Sequence, residues 1–346
     1  MRRLRAGAAD LRKERKILEA RIHAGIVGTG KYMPSKVLTN ADLEKMMDTN
    51  DEWITSRVGI KERRVAAPEE TTSSMGAQAA RAALAEANTS AEELDLIITA
   101  TITPDVPWPA TACFIQRELG AAHAACFDIE AACTGFIYAL SLARNFIVTG
   151  MYRTVLVVAS EVLTRITDWQ DRNTAVLFGD AAGAAVLKAV DPPAGIIATY
   201  LAADGSKGDL LEMPGGGSRF PPTHESVDQR LHFIKMRGNE VFKFAGRAMA
   251  RANAQVLAKA GLSIEQVDLL IPHQANMRII EAAARLSHLP MERVYLNLAR
   301  YGNTSAATTA VALDEARREG RIRAGQLCLL VAFGGGFTWG SCLLRL

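Results

Sequence analysis

Hydrophobic and polar positions along this chain fall into two recurring textures. Residues 95–100, 155–159 and 327–332 contain short continuous apolar runs with no polar alternation. Such runs predict strands covered on both faces, as in parallel-rich sheets under helices. Other stretches show helical spacing. Residues 135–149 are small or apolar on all sides (Ala139, Leu140, Leu142, Ala143, Phe146) and predict a central buried helix.

These textures occur twice. The segment LAEANTSAEELDLII at 84–98 is matched by LAKAGLSIEQVDLLI at 257–271, an offset of 173. CTGFIYALSLARNFIVTG at 133–150 lies over NTSAATTAVALDEARREG at 303–320, and VLVVAS at 155–160 over CLLVAF at 328–333. FGDAAGAAVL at 178–187 resembles GGFTWGSCLL at 335–344, with about sixteen extra residues inserted before it around 163–177. A repeat on this scale organises the whole fold. Two α/β halves, 24–195 and 196–346, with helices held between two sheets, predict a five-layer αβαβα arrangement.

Composition narrows the picture. The 346 residues allow two units of ~150 residues. No apolar run approaches the ~18 residues of a membrane span. The net charge of +3 is uneven: residues 1–22 hold eight Lys/Arg against three Asp/Glu, leaving 32 basic and 34 acidic residues for the body. The body is therefore not a basic nucleic-acid binder. Residues 1–23 read as a basic amphipathic helical extension, solvated rather than membrane-bound, with no apolar core of a signal peptide.

Five cysteines without a C-x-x-C pair or a secretory signal suit a reducing cytoplasm, and six scattered histidines show no zinc spacing. Gly28-Thr29-Gly30 lacks the third glycine of a dinucleotide fingerprint, since Met33 stands there. Gly334–Gly336, after a predicted strand, is more informative, because glycines there let backbone N–H groups approach a ligand.

Three polar residues follow predicted strands. Cys133 follows 125–129 and opens the buried helix. His273 follows 267–271 and precedes a helix over 276–286. Asn303 follows a predicted strand over 294–298 and opens the helix copied from that of Cys133. Ligands in α/β sheets bind beyond the carboxyl ends of strands, so the three should converge. A cysteine at a helix N-terminus is expected to have a lowered pKa and a populated thiolate, which suits covalent acyl transfer. Each residue alone has a plainer reading: a buried hydrophobe, a core histidine, an N-cap. Together, related by the repeat, they favour chemistry.

DIEAACTGF (128–136), PHQAN (272–276), GNTSAA (302–307) and FGGGFTWGS (333–341) resemble the β-ketoacyl-acyl-carrier-protein synthase III family. The likeness runs from about Gly25 to Leu346 and includes TNADLEKM (39–46), DEWI (51–54) and GNEVFKFA (238–245). The resemblance implies a thiolase-like fold and no metal or redox cofactor. Cys133 would take an acyl group from a coenzyme A thioester, with its N–H and that of Gly335 as oxyanion hole. His273 and Asn303 would donate hydrogen bonds to the enolate formed when malonyl-acyl-carrier protein loses carbon dioxide. Trp53 and Arg172 would sandwich the adenine; Arg57, Phe242 and Asn276 would line the coenzyme A tunnel. Lys243, Arg278 and Arg285 would offer a basic patch to the acidic carrier protein.

A homodimer pairing near 124–129 is implied, with Trp108, in the loop PDVPWPATA, closing the partner's acyl pocket against long primers. Phe178 is assigned to the same kind of pocket. Acetyl-coenzyme A is the expected primer. A starter-unit ketosynthase of secondary metabolism, a non-condensing acyltransferase and a non-catalytic paralogue are the competing readings. Intact Cys133, His273 and Asn303 speak against the last.

Overall fold

The computed structural model describes residues 22–346. The helical extension read over 1–23 thus lies outside the described residues, except at its end, where His23 already belongs to the first strand.

Five strands form the first sheet: β1 (His23–Tyr32), β2 (Leu96–Ala100), β3 (Ala125–Ile129), β4 (Thr154–Val162) and β5 (Asp180–Val190). Their order is β1-β5-β4-β2-β3, with β4, β2 and β3 mutually parallel and β5 antiparallel to both neighbours. The second sheet holds β6 (Gly195–Ala203), β7 (Leu269–Pro272), β8 (Leu327–Gly334) and β9 (Thr338–Arg345), in the order β7-β8-β9-β6. Its β7–β8 pair is parallel and its other pairs antiparallel. Strand for strand, β6-β9-β8-β7 therefore repeats β1-β5-β4-β2. All five residues of β2, all nine of β4 and all eight of β8 are buried, as continuous apolar runs require.

One expected strand is not formed. Residues 294–298 contribute a single bridge, Leu270 to Val294, before a short helix begins at Leu298. The second sheet thus has no full counterpart of β3. Residues 291–293 just before it form a 3-10 turn, and Gln274 spends its side-chain carbonyl on the N–H groups of Asn297 and Leu298, so the backbone there is satisfied without a ladder.

Helices occupy three layers. Outside the first sheet lie α1 (Thr72–Glu86) and α2 (Thr111–Leu119); outside the second lie α3 (Gly238–Ala260) and α4 (Met277–Leu286). Between the sheets run α5 (Gly135–Val148) and α6 (Ala307–Arg318), which touch both. Their contact is tight because of a glycine. A Cβ on Gly135 would sit 2.9 Å from Ala100 Cβ and 3.3 Å from Ala306 Cβ. The same core joins both central helices to the inner faces of both sheets. This is the five-layer αβαβα fold expected from the repeat.

The insertions break the symmetry. A ribbon, Lys36–Thr39 with Glu62–Val65, carries the helix Asp51–Val58. The extra residues near 163–177 form a 3-10 turn, Leu163–Arg165, and a short helix, Arg172–Ala175. Among the described residues, no helix is long and apolar enough to cross a membrane.

Candidate active site

A cavity of about 1720 Å³ opens at the carboxyl ends of β2, β4, β7 and β8. Cys133, His273 and Asn303 all line it, brought together as the strand-end argument expected. The two insertions of the first half build much of its wall, through Trp53 and Arg57 on one side and Leu163, Ile166, Asn173 and Val176 on another.

Cys133 does not stand at the start of an α-helix. It is the middle residue of a 3-10 turn, Ala132–Thr134, that feeds α5, and Ala132 before it is left-handed at φ 45°. The end of β8 presses on this turn. A Cβ on Gly334 would lie 2.7 Å from the Cys133 nitrogen, so only glycine fits. Cys133 is 6% exposed, and burial pushes its thiol up to about 12. The expected thiolate is thus corrected: with the turn between cysteine and helix, and the thiol buried, desolvation outweighs the helix dipole. The resting group is a thiol.

His273 ends β7 with its N–H donated to Val331 O at 2.8 Å. Its ring is buried, which lowers its pKa to about 3 and keeps it neutral. Nδ1 lies 2.6 Å from Thr308 Oγ1. The Thr308 hydroxyl has a second acceptor within reach, Ser305 O at 3.0 Å. Given to Nδ1, its proton leaves Nε2–H as a donor; given to Ser305, it leaves Nε2 bare.

Asn303 precedes α6 by four residues rather than opening it. Gly302, at φ 64°, turns the chain into it, and its backbone is fixed by Asn303 N–H to Leu177 O (2.9 Å) and Gly179 N–H to Asn303 O (3.0 Å). Phe178 bridges it in parallel and lines the cavity. Asn303 Oδ1 accepts the Ser305 N–H at 2.9 Å, which leaves its NH2 as the available group.

The other expected site residues scatter around the mouth. The guanidinium carbons of Arg57 and Arg172 each lie 4.8 Å from the Trp53 ring centroid. Arg172 is thus in direct contact with the indole, with no gap for a base, and also donates to Asp48 O at 2.8 Å. Asn276 caps α4 through Arg278 N–H (2.9 Å) and donates to Arg57 O at 3.3 Å. Phe242 lines the mouth at 42% exposure. Arg278 lines it too and donates to Ser56 O. Arg285 and Lys243 are exposed but lie off the cavity, and Lys243 is paired with Glu240 at 3.0 Å. Gly335 lines the cavity beside Gly334. Trp108 is 83% exposed and lies off the cavity, while Val106 and Pro107 line it.

Three residues were not singled out from the sequence: Thr308, Ser305 and Glu161. Ser305 is left-handed at φ 48°, and its N–H, carbonyl and side chain face Asn303, Thr308 and Cys133 respectively. The one available signal was its place inside GNTSAA, one of the quoted motifs.

The family described as 3-Oxoacyl-[acyl-carrier-protein (ACP)] synthase III matches residues 127–205, and its C-terminal counterpart matches 257–346. The chain is 56% identical over 325 residues to a β-ketoacyl-[acyl-carrier-protein] synthase III of Caldanaerobacter subterraneus subsp. tengcongensis, covering 94% of this chain and 98% of that protein. It superposes on the crystal structure of 3-oxoacyl-[acyl-carrier-protein] synthase III from Aquifex aeolicus VF5 with TM-score 0.87 and 50% identity, over 93% of this chain and 100% of that one. The priming β-ketosynthase of the R1128 polyketide pathway superposes with TM-score 0.88 at 35% identity, over 94% and 97%. With a cysteine, a neutral histidine and an asparagine around one cavity of a duplicated five-layer fold, and with these relatives, the chain belongs to the β-ketoacyl-[acyl-carrier-protein] synthase III family.

Proposed function

We propose that this chain joins a short acyl primer, carried by coenzyme A, to malonyl-acyl-carrier protein and so initiates fatty acid synthesis. Cys133 attacks the acyl thioester, and the oxyanion of that step is held by the N–H groups of Cys133 and Gly335. Gly335 N–H donates to no backbone acceptor among the described residues, which supports that role.

Malonyl-acyl-carrier protein then enters. The carboxylate leaves as carbon dioxide, and its electron pair flows into the thioester as an enolate. His273 Nε2–H and the Asn303 NH2 donate to the enolate oxygen. The enolate carbon attacks the acyl group on Cys133 and expels the thiolate. Beyond its two substrates this cycle uses no cofactor. The observation that carries the reading is the fixed polarity of Asn303 beside an uncharged His273. Asn303 Oδ1 is tied to Ser305, which leaves its NH2 to donate, and burial keeps His273 neutral, so that in its Nε2–H tautomer it meets the enolate as a second neutral donor.

The surrounding roles are assigned on the same footing. Trp53, Arg57, Arg172, Phe242 and Asn276 take coenzyme A, with Arg172 swinging from the indole to admit the adenine. Arg278, Lys243 and Arg285 face the carrier protein. The two halves are 24–195 and 196–346. The unpaired edge of β3, half-exposed along its length, supports a homodimer in which β3 meets its symmetry mate, and we place that dimer in the cytoplasm. Exposed Trp108 would then reach the partner's acyl pocket, with Phe178 in the wall, and favour acetyl as primer.

The likeness to the R1128 priming enzyme supports a second reading, a starter-unit ketosynthase with another primer. One experiment addresses both. The protein is incubated with a panel of acyl-coenzyme A thioesters and malonyl-acyl-carrier protein, and Cys133 and the carrier are weighed by mass spectrometry. Acetyl on Cys133 and acetoacetyl on the carrier are expected. Acyl-Cys133 without a condensed carrier product would overturn the condensing function.

A further inference from the structure

The chemistry above leaves unused a buried carboxyl close to the thiol. Glu161, next to last in β4, has no exposed surface. Its neighbours are neutral donors: Thr103 Oγ1 at 2.7 Å, Thr101 Oγ1 at 3.1 Å and Ile102 N–H at 3.1 Å, all on Oε2. Oε1 receives only the Ile102 N–H at 3.3 Å. Among the described residues no cation pairs with it.

Between Glu161 and Cys133 stands Ser305. Its hydroxyl is buried and has no well-formed hydrogen bond, yet it lies against both the Cys133 thiol and the Glu161 carboxyl. A free hydroxyl set between a thiol and a carboxyl has the parts of a proton path, since it can take one proton while giving up another.

Cys133 has need of such a path. Its resting state is a thiol, so its proton must go somewhere as the sulfur attacks. In the tautomer that the proposed function requires, His273 already carries its proton on Nε2 and is not free to take another. We infer that Glu161, acting through the Ser305 hydroxyl, holds the Cys133 proton for the lifetime of the acyl-enzyme. This rests on Cys133 being the acylated nucleophile.

The steps balance. As Cys133 Sγ bonds to the acyl carbon, its proton passes to Ser305 Oγ and the Ser305 proton passes to Glu161. The bond from acyl carbon to coenzyme A sulfur breaks, and that thiolate takes a proton from water. In the second half the new carbon–carbon bond forms, the bond to Cys133 breaks, and the Cys133 thiolate recovers the stored proton through Ser305. One solvent proton is consumed per turnover, matching the carboxylate lost as carbon dioxide. Burial raises the Glu161 pKa to about 7, so the carboxyl can both take and return a proton near neutrality.

Glu161 is a positioning residue in that it acts through Ser305, and it also anchors residues 101–103. A purely anchoring role and the proton role differ in sign. As an anion near the thiol, Glu161 disfavours the thiolate. If it served only as an anchor, Glu161→Gln would keep the acceptor for Thr101 and Thr103 and leave acylation unchanged or faster.

The test is single-turnover acylation of the full chain by acetyl-coenzyme A, followed by mass spectrometry of Cys133. Wild-type labelling is the control for the nucleophile itself; its absence would count against the proposed function rather than the relay. Given that labelling, Glu161→Gln and Ser305→Ala are each expected to slow acylation by about a hundredfold. Glu161→Asp, which retains a carboxylate, should recover part of the rate. Wild-type acylation should be slower in deuterium oxide. If Glu161→Gln does not fold, Ser305→Ala, which keeps every backbone link, carries the test. Acylation at the wild-type rate in either folded variant, an Asp variant no faster than Gln, or a wild type indifferent to deuterium overturns the relay.

Discussion

The side-chain carbonyl of Asn303 accepts the backbone N–H of Ser305 at 2.9 Å, and that bond decides which end of the amide meets the cavity. Ser305 can present its N–H this way because it is left-handed, a conformation uncommon for residues other than glycine. The asparagine is thereby held as a hydrogen-bond donor.

A division of labour follows for the three site residues. Cys133→Ala should abolish acyl labelling. His273→Ala and Asn303→Ala should retain label from acetyl-coenzyme A on Cys133 while losing decarboxylation of malonyl-acyl-carrier protein by about 10²-fold or more. Asn303→Asp should behave like the alanine variant, since a carboxylate there repels the enolate. Equal loss of labelling in all the variants would contradict separate roles.

Thr308 tests the protonation of His273. Its hydroxyl lies 2.6 Å from Nδ1, and the enolate needs the proton on Nε2. Thr308→Val keeps the shape but removes that partner, leaving a buried ring nitrogen unsatisfied. Decarboxylation should fall roughly tenfold, with acylation of Cys133 unchanged. A fall in both to the same degree would point to general damage.

At Gly334 the prediction is steric. A methyl group 2.7 Å from the Cys133 nitrogen must displace the turn that presents the thiol. Gly334→Ala should slow acylation at least ~10-fold, because a nucleophile displaced by ~1 Å loses its attack geometry. Full acylation rate with an unchanged melting temperature would mean the contact relaxes freely.

The buried His273 also carries a pH signature in stability. Folding lowers its pKa from 6.5 to about 3, so the unfolded chain binds the proton more readily. Stability is therefore complete above about 6.5 and declines as pH falls toward 3, by at most ~1.4 kcal/mol per pH unit. Urea midpoints of wild type and His273→Gln between pH 4.5 and 7.5 should converge on acidification. Parallel curves would show that the ring is accessible to protons in the folded state.

Trp108 is where the proposed dimer and the proposed primer preference can be tested together. At 83% exposure it is well placed to serve a second copy of the chain. Light scattering should give a dimer, and Trp108→Ala should shift preference toward longer acyl-coenzyme A primers with acetyl transfer little changed. An unchanged preference in a variant that remains dimeric would remove Trp108 from the pocket.

The internal repeat, read from 84–98 against 257–271 and 155–160 against 328–333, already contained the five layers, because strands buried on both faces must be continuous apolar runs whatever their neighbours. Cys133, His273 and Asn303 were legible for a related reason: equivalent strand ends of a duplicated sheet point to one edge, so position along the chain carried position in space. Protonation states were not legible. The helix dipole suggested a thiolate at Cys133, but whether a thiol ionises depends on its burial and on neighbours such as Ser305 and Glu161, which arrive from distant parts of the chain. The spacing of Trp53 and Arg172, 119 positions apart in sequence and in contact in the fold, was likewise a matter for the tertiary structure. So were the loss of the expected strand over 294–298 and the neutrality of His273. Local pattern determines which residues are buried and which elements form; desolvation and hydrogen-bond partnership are sums over neighbours that only the folded chain assembles.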